Sequence, residues 1–195
     1  MIRLLHDHPQ TVTQEELQKD LLLLPQWRRE KVLSFKFHID RVLSAKAYLL
    51  LCQGLRQQYD IHEMPSFDYT GHEKPILHGY PDIHFNLSHC RKGVLCVIDD
   101  KPVGCDIEEI EQQLDINICH HCFNEQENTS ITMAANPCIA FTHMWTIKEA
   151  ALKLTGEGIC DNLPAIFEKT PCDKYRFQTC ECPEHGFVYT IAQWR

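Results

Sequence analysis

The sequence predicts a mixed α+β fold, built as one large domain or two small ones. Three observations point to it. Apolar residues recur at helical spacing through residues 13–58, whereas residues 83–108 hold short alternating or apolar runs of strand length. A second helical run from Met144 is followed by strand-like runs at Tyr175-Arg176-Phe177 and from Phe187 to Ile191. The length of 195 residues and an apolar content of 44% fit a chain with a genuine core.

Taken in order, residues 13–24 read as a helix. Thr13 is its N-cap, Glu16 completes a capping box, and Leu17, Leu21 and Leu24 form the apolar stripe. Pro25 ends it or begins the next. Helices are expected around 26–35 and 38–58, from Val32, Phe35, Ile39, Val42, Leu43, Ala47 and Leu50. The same stretch carries Arg28, Arg29, Lys31, Lys36, Arg41 and Lys46 against only Glu30 and Asp40. It reads either as an ordinary solvated face or as an anion site, since arginine and lysine both suit phosphate.

Residues 59–82 read as loop, broken by Pro65, Gly71, Pro75, Gly79 and Pro81, with Lys74 presented in a turn. Ile83 to Ser88 alternates as a short strand. Ser88 and His89 do not form a hydrolase pair, because no GxSxG elbow surrounds the serine and adjacent strand side chains point apart. Both can still donate hydrogen bonds to a phosphate. Gly93 to Ile98 reads as a buried strand, Asp99 to Pro102 as a turn, and 103–108 as the next strand, paired with it in an antiparallel hairpin. Residues 109–140 read as part helix and part loop. The helix from Met144 ends at Thr155-Gly156 with Gly158.

Two acidic clusters carry the chemistry. Alternation puts Val103, Cys105 and Ile107 on one face of their strand and Asp106 with Glu108 on the other, roughly 7 Å apart along it. Helical spacing puts Trp145, Glu149 and Lys153 on one helix face. Three carboxylates brought together offer the hard oxygens that Mg²⁺ prefers. Taken separately, the clusters also read as a solvent-facing edge strand and a solvated Glu/Lys pair, and Trp145 reads as core packing.

The net charge of −8 is uneven. Residues 1–102 carry 13 basic and 13 acidic side chains, and residues 103–195 carry 6 and 14. Such a chain is a poor general binder of nucleic acid. No apolar run approaches a membrane span, and MIRLLHDHPQ lacks the apolar core of a signal peptide, so the cytoplasm is the expected location. Eleven cysteines are a high count, but the chain is not a small secreted scaffold, so most are expected to be thiols in a reducing compartment, with Cys52, Cys96 and Cys105 in apolar surroundings. Cys119-His120-His121-Cys122, and Cys172 with Cys180, Cys182 and His185, invite a zinc reading. Paired CxxC spacing is missing, and that reading predicts stoichiometric zinc and unfolding by chelator.

The segments FNLSHC, GCDIE and WTIKEAALKLTGEGI, in this order and spacing, resemble the signatures of 4′-phosphopantetheinyl transferases of the Sfp type. The resemblance covers about residues 28–159. Cys105 replaces the usual isoleucine or valine, His72-Glu73 intervene between Gly71 and Lys74, and residues 160–195 match no family motif. The resemblance implies two similar α+β halves in a pseudo-two-fold arrangement with coenzyme A in the cleft between them. Residues 1–102 would bind its nucleotide and phosphates, and residues 103–195 would hold Mg²⁺ and the catalytic groups. It implies transfer of the 4′-phosphopantetheine arm from coenzyme A to a serine of an apo acyl or peptidyl carrier protein, with adenosine 3′,5′-bisphosphate as the other product. By the same resemblance, Asp106, Glu108 and Glu149 are the metal ligands. Glu149 is also a candidate base, directly or through a metal-bound water, and Lys153 acts beside it on the pyrophosphate. Lys36, Arg41, Lys74, Ser88 and His89 belong near the nucleotide and phosphates. Lys31 has a lesser claim there, and Lys148 a lesser claim on the pyrophosphate. The family implies a monomer. A module that binds coenzyme A or a carrier without turnover is the alternative, and a metal site would be of no use to it.

Overall fold

Residues 1–156 and 163–195 are described by a computed structural model, which divides into two units, Met1–Lys101 and Pro102–Arg195. Each unit combines helices with an antiparallel sheet, so the fold is mixed α+β.

In the first unit, β1 (Ile2–Asp7) is followed by α1 (Gln14–Leu22), α2 (Gln26–Ser34) and α3 (His38–Tyr59). The capping box forms as expected: Thr13 Oγ1 accepts from the Glu16 amide at 3.2 Å, and Glu16 accepts from the Thr13 amide at 2.8 Å. Leu17, Leu21, Leu24, Val32, Val42, Ala45 and Tyr48 bury together where the three helices meet. Two short strands, β2 (Phe67–Tyr69) and β3 (Pro75–Leu77), then pair as a hairpin inside the stretch expected to be loop. Pro75 is tolerated because it opens its strand. β4 (His84–Cys90) and β5 (Gly93–Asp99) complete a sheet of order β1-β5-β4. Leu51 and Leu55 of α3 pack on it with Phe85, Cys96 and Ile98.

The second unit runs β6 (Val103–Glu109), α4 (Ile116–Cys122), α5 (Glu125–Thr132), α6 (Pro137–Thr155), α7 (Ile166–Lys169), β7 (Tyr175–Cys182) and β8 (Phe187–Trp194). The sheet order is β6-β8-β7, with Asp106 opposite Thr190. The expected hairpin between 93–98 and 103–108 is therefore corrected: β5 pairs with β1 and β4, and β6 pairs with β8. The Asp99–Pro102 turn joins two sheets, whereas the β5 hairpin partner is β4.

Helix α6 begins seven residues before Met144, with Asn136 as N-cap (Oδ1 accepting from the Ile139 amide at 3.2 Å) and Pro137 in its first turn. It ends at Gly156, which takes the left-handed conformation (φ 75°) that terminates helices. Gly158, the other expected stop, lies outside the described residues. Ala150, Ala151 and Leu154 pack α6 on the sheet with Tyr175 and Ala192. A chain of hydroxyls adds to this: buried Thr190 Oγ1 lies 2.8 Å from both buried Thr146 Oγ1 and half-buried Thr179 Oγ1. Among the described residues no helix is long and apolar enough to cross a membrane.

Candidate active site

Both acidic clusters belong to the second unit, and its fold turns them toward each other. Positions 104, 106 and 108 of β6 face α6. A side chain at Gly104 would strike the α6 backbone at Ala150 and Leu154, Asp106 Oδ1 accepts from Lys153 Nζ at 2.6 Å, and Glu108 accepts from the Trp145 indole. The helix stripe Trp145, Glu149, Lys153 thus runs along the strand stripe Glu108, Asp106, Gly104. The solvent-facing reading of this strand is overturned, because Asp106 is only 1% exposed and Glu149 only 7%.

The electrostatics follow from burial. Desolvation pushes the Glu108 carboxyl up to about 7; the Asp106 charge adds to this, while Lys153 and the Trp145 hydrogen bond oppose it. Glu149 is raised by burial and then by Asp106, with Lys153 opposing. For Lys153, burial favours the neutral amine, but the charge and hydrogen bond of Asp106 outweigh it and the net shift is upward. The three carboxylates form one electrostatic cluster, although their oxygens do not all come within 4.8 Å of one another. Among the described residues, Glu149 Oε1 is buried with no hydrogen-bond partner. Three carboxylates around the one ammonium of Lys153 leave an excess of negative charge, and a hard divalent cation fits that donor set.

A pH dependence follows. A carboxyl whose folded pKa lies near 7, above its ordinary 4.5, binds its proton more tightly in the folded state. Its contribution is complete below the unfolded pKa and is lost as pH rises through the folded one. Metal-free protein is expected to lose stability on the order of 0.5–1 kcal/mol between pH 6.5 and 8. Thermal melts check this: Glu108→Gln or saturating Mg²⁺ should flatten the slope, and an unchanged slope in Glu108→Gln would refute the assignment.

Two residues do more than the sequence suggested. Trp145 packs as expected, stacked on Phe141, and also steadies Glu108. Lys148 is fully buried (0% exposed) and points away from the carboxylates. Its Nζ donates to Glu127 at 2.7 Å, to the Cys122 carbonyl at 3.1 Å and to the Leu163 carbonyl at 3.0 Å, and it lies over the Phe123 ring. Its claim on a pyrophosphate is therefore corrected: it ties the chain around α4 and α5 to α6. Glu127 also closes the capping box of α5 with Asn124. A methionine at 148 would fill the space but remove the ammonium from Glu127 and from the two carbonyls. Lys148→Met is expected to cost about 2–3 kcal/mol in a denaturant melt.

In the first unit, much of the basic stretch is structural. Arg28 donates to the Ser44 carbonyl at 2.8 Å, Arg29 to the Leu21 and Leu24 carbonyls at 2.9 and 3.1 Å, and Lys46 pairs with Asp20 at 2.7 Å. Arg41, in the first turn of α3, donates to the Phe35 carbonyl at 2.8 Å. Lys36 is exposed, with its ammonium over the Phe37 ring. Lys74 lies in the β2–β3 turn, while Ser88 is buried and His89 exposed on β4, as opposite faces require. Cys119 and Cys122 are buried in the apolar cluster beneath α6 with Phe123 and Ile131. Cys180 and Cys182 lie together on β7, and Cys172 is exposed.

Residues 102–189 match the family model described as the 4′-phosphopantetheinyl transferase superfamily. The likeness extends further. The chain is 33% identical over 154 residues to the 4′-phosphopantetheinyl transferase psf-1 of Bacillus pumilus, covering 77% of this chain and 65% of that protein. It is 26% identical over 151 residues to the 4′-phosphopantetheinyl transferase Sfp of Bacillus subtilis strain 168, covering 76% and 67%. Over a shorter stretch of 80 residues it is 41% identical to the 4′-phosphopantetheinyl transferase gsp of Aneurinibacillus migulanus, covering 40% and 33%. The chain thus spans two thirds or less of the length of most curated relatives it matches, 65% for psf-1.

Proposed function

We propose that the protein transfers the 4′-phosphopantetheine arm of coenzyme A to a serine hydroxyl of an apo acyl or peptidyl carrier protein, with Mg²⁺, and releases adenosine 3′,5′-bisphosphate. The observation that carries this reading is the buried cluster of Asp106, Glu108, Glu149 and Lys153 within the superfamily-matched segment. The names of psf-1 and Sfp add weight, since both are called 4′-phosphopantetheinyl transferases.

In the reaction the serine oxygen attacks the phosphorus next to pantetheine. A new O–P bond forms as the anhydride bond to the nucleotide breaks. The serine must lose its proton, the reactants must be aligned, and negative charge must be neutralised. Asp106, Glu108 and Glu149 would hold Mg²⁺, which when bound supplies charge neutralisation at the phosphate oxygens. Glu149 is assigned as proton acceptor. Burial raises its proton affinity, which a base acting near neutral pH needs. Lys153 holds Asp106 in place and adds positive charge beside the phosphates. Trp145 fixes Glu108 through its indole N–H. Lys36, Arg41, Lys74, Ser88 and His89 are assigned to the nucleotide and its phosphates, each supplying an N–H or O–H donor. The two-half plan belongs to this reading. Its support is that each unit packs a long helix, α3 or α6, on a three-stranded antiparallel sheet. The partners are thus coenzyme A and a carrier protein, and the protein acts as a monomer.

The test is direct. Incubated with coenzyme A, Mg²⁺ and an apo carrier, the protein should add one arm's mass to the carrier. Chelator should stop the reaction, and a carrier lacking the serine should gain nothing. Binding of coenzyme A with no mass gain on any acyl or peptidyl carrier would leave a binding module instead.

A further inference from the structure

Cys180 and Cys182 stand apart from the proposed transfer chemistry. They occupy alternate positions on one face of β7, both half-buried, with their sulfurs 3.5 Å apart. We infer that this pair is a reversible thiol–disulfide site, oxidised by small-molecule disulfides of the glutathione class.

The geometry favours a labile bond over a permanent one. Alternate residues of an extended strand lie about 6.4–6.8 Å apart, at the long limit of a disulfide's Cα separation and beyond its usual span of roughly 5.5–6 Å. Closing the ring therefore bends the backbone at Glu181. Two features permit the bend. β7 lies at the edge of the sheet, and the strand gives way at Cys182 to a tight turn. In that turn the amides of His185 and Gly186 donate to the Cys182 carbonyl at 3.0 and 2.9 Å, and Gly186 takes φ 78°. The strain that remains makes the bond easy to reduce.

In the reaction one cysteine thiolate attacks glutathione disulfide. A mixed disulfide forms and one glutathione leaves. The neighbouring thiolate then attacks the protein sulfur of that mixed disulfide, closing Cys180–Cys182 and releasing the second glutathione. The protein gives up two electrons and two protons, and glutathione disulfide becomes two thiols.

The bend has a route to α6. Glu181, between the cysteines, accepts from His143 Nδ1 at 2.6 Å, which ties β7 to the helix that carries Glu149. Loosening this tie is expected to lower transfer about tenfold. This regulatory part rests on the transferase reading.

Trypsin releases Phe177–Arg195, a peptide with Cys180 and Cys182 as its only cysteines. After equilibration of the whole protein in an oxidising glutathione buffer and alkylation, this peptide should be two hydrogens lighter, and dithiothreitol should reverse the change. Cys180→Ser and Cys182→Ser should each carry a lasting glutathione adduct instead. Two alkylated thiols in the oxidised protein, or a lasting adduct on the unaltered peptide, would overturn the site. Oxidised protein should regain transfer with dithiothreitol, and Cys180→Ser/Cys182→Ser should resist inactivation. A disulfide with unchanged transfer would overturn the link to α6. Absence of transfer in the reduced protein counts against the transferase reading alone, since the peptide reports the disulfide independently.

Discussion

Asp106→Ala is expected to lower carrier modification at least ~100-fold while the protein stays folded. The side chain is 1% exposed and takes the Lys153 ammonium at 2.6 Å. Its loss removes a carboxylate from the proposed Mg²⁺ set and lets Lys153 swing away from its position. Stability should change far less. A buried ion pair broken on one side usually costs several kcal/mol because the survivor is left charged in a dry site. Here the survivor has an exit, since the Lys153 side chain is 30% exposed and can turn to water. The like-charge repulsion that raises Glu108 and Glu149 is relieved at the same time. Melting should thus shift by no more than the equivalent of about 1 kcal/mol. Asp106→Asn separates charge from shape, and its activity should fall with that of the alanine variant. Full transfer by either variant would end the metal assignment, and collapse of the fold in both would show that Asp106 is structural first.

The stripes of this site were legible because each is set by a local period. A repeat of 3.6 puts Trp145, Glu149 and Lys153 on one face, and a repeat of two does the same for Asp106 and Glu108. That the two stripes face each other is set by β6 pairing with β8, some eighty residues on, which no local pattern encodes. The same blindness explains the misplaced hairpin: Asp99–Pro102 has turn chemistry whether it joins paired strands or separate sheets. Helices α1 to α3 were legible nearly to the residue, because a capping box and a proline mark their ends. β1 was not, since Leu4 and Leu5 are adjacent and blur the alternation; β2 and β3, of three residues each, are too short to show a period. Basic residues misled in another way. Arg28 and Arg29 lie in the stretch that reads as either a solvated face or an anion site, yet Arg28 serves the Ser44 carbonyl within α3 and Arg29 the carbonyls at the end of α1, which the sequence does not display. Lys148 differs from Lys153 only in helix phase: one is sealed against α4 and α5, the other meets Asp106.

Gly104→Ala tests the packing on which the whole cluster depends. A Cβ at this position would meet the Ala150 carbonyl oxygen and the Leu154 amide nitrogen, and would lie 2.8 Å from the Leu154 Cα. All three are backbone atoms of α6, so no side-chain rotation relieves the clash, and the helix must move away from β6. Overpacking of this kind ordinarily costs 1–3 kcal/mol, and a backbone clash belongs at or above that upper end, ~3 kcal/mol. At about 2–4 °C per kcal/mol for a chain of this size, melting should fall by roughly 6–12 °C. Activity should fall further than stability accounts for. Moving α6 outward separates Lys153 from Asp106 and Trp145 from Glu108, and reacting groups displaced by about 1 Å lose on the order of 100-fold in rate. Gly71 is the control, because a Cβ there meets nothing within 4 Å among the described residues and Gly71→Ala should be close to neutral. Assays run well below the lowered melting temperature distinguish the two effects. If Gly104→Ala keeps its transfer rate while losing only stability, then the close approach of strand and helix supports the fold and does not set the spacing of the acidic cluster.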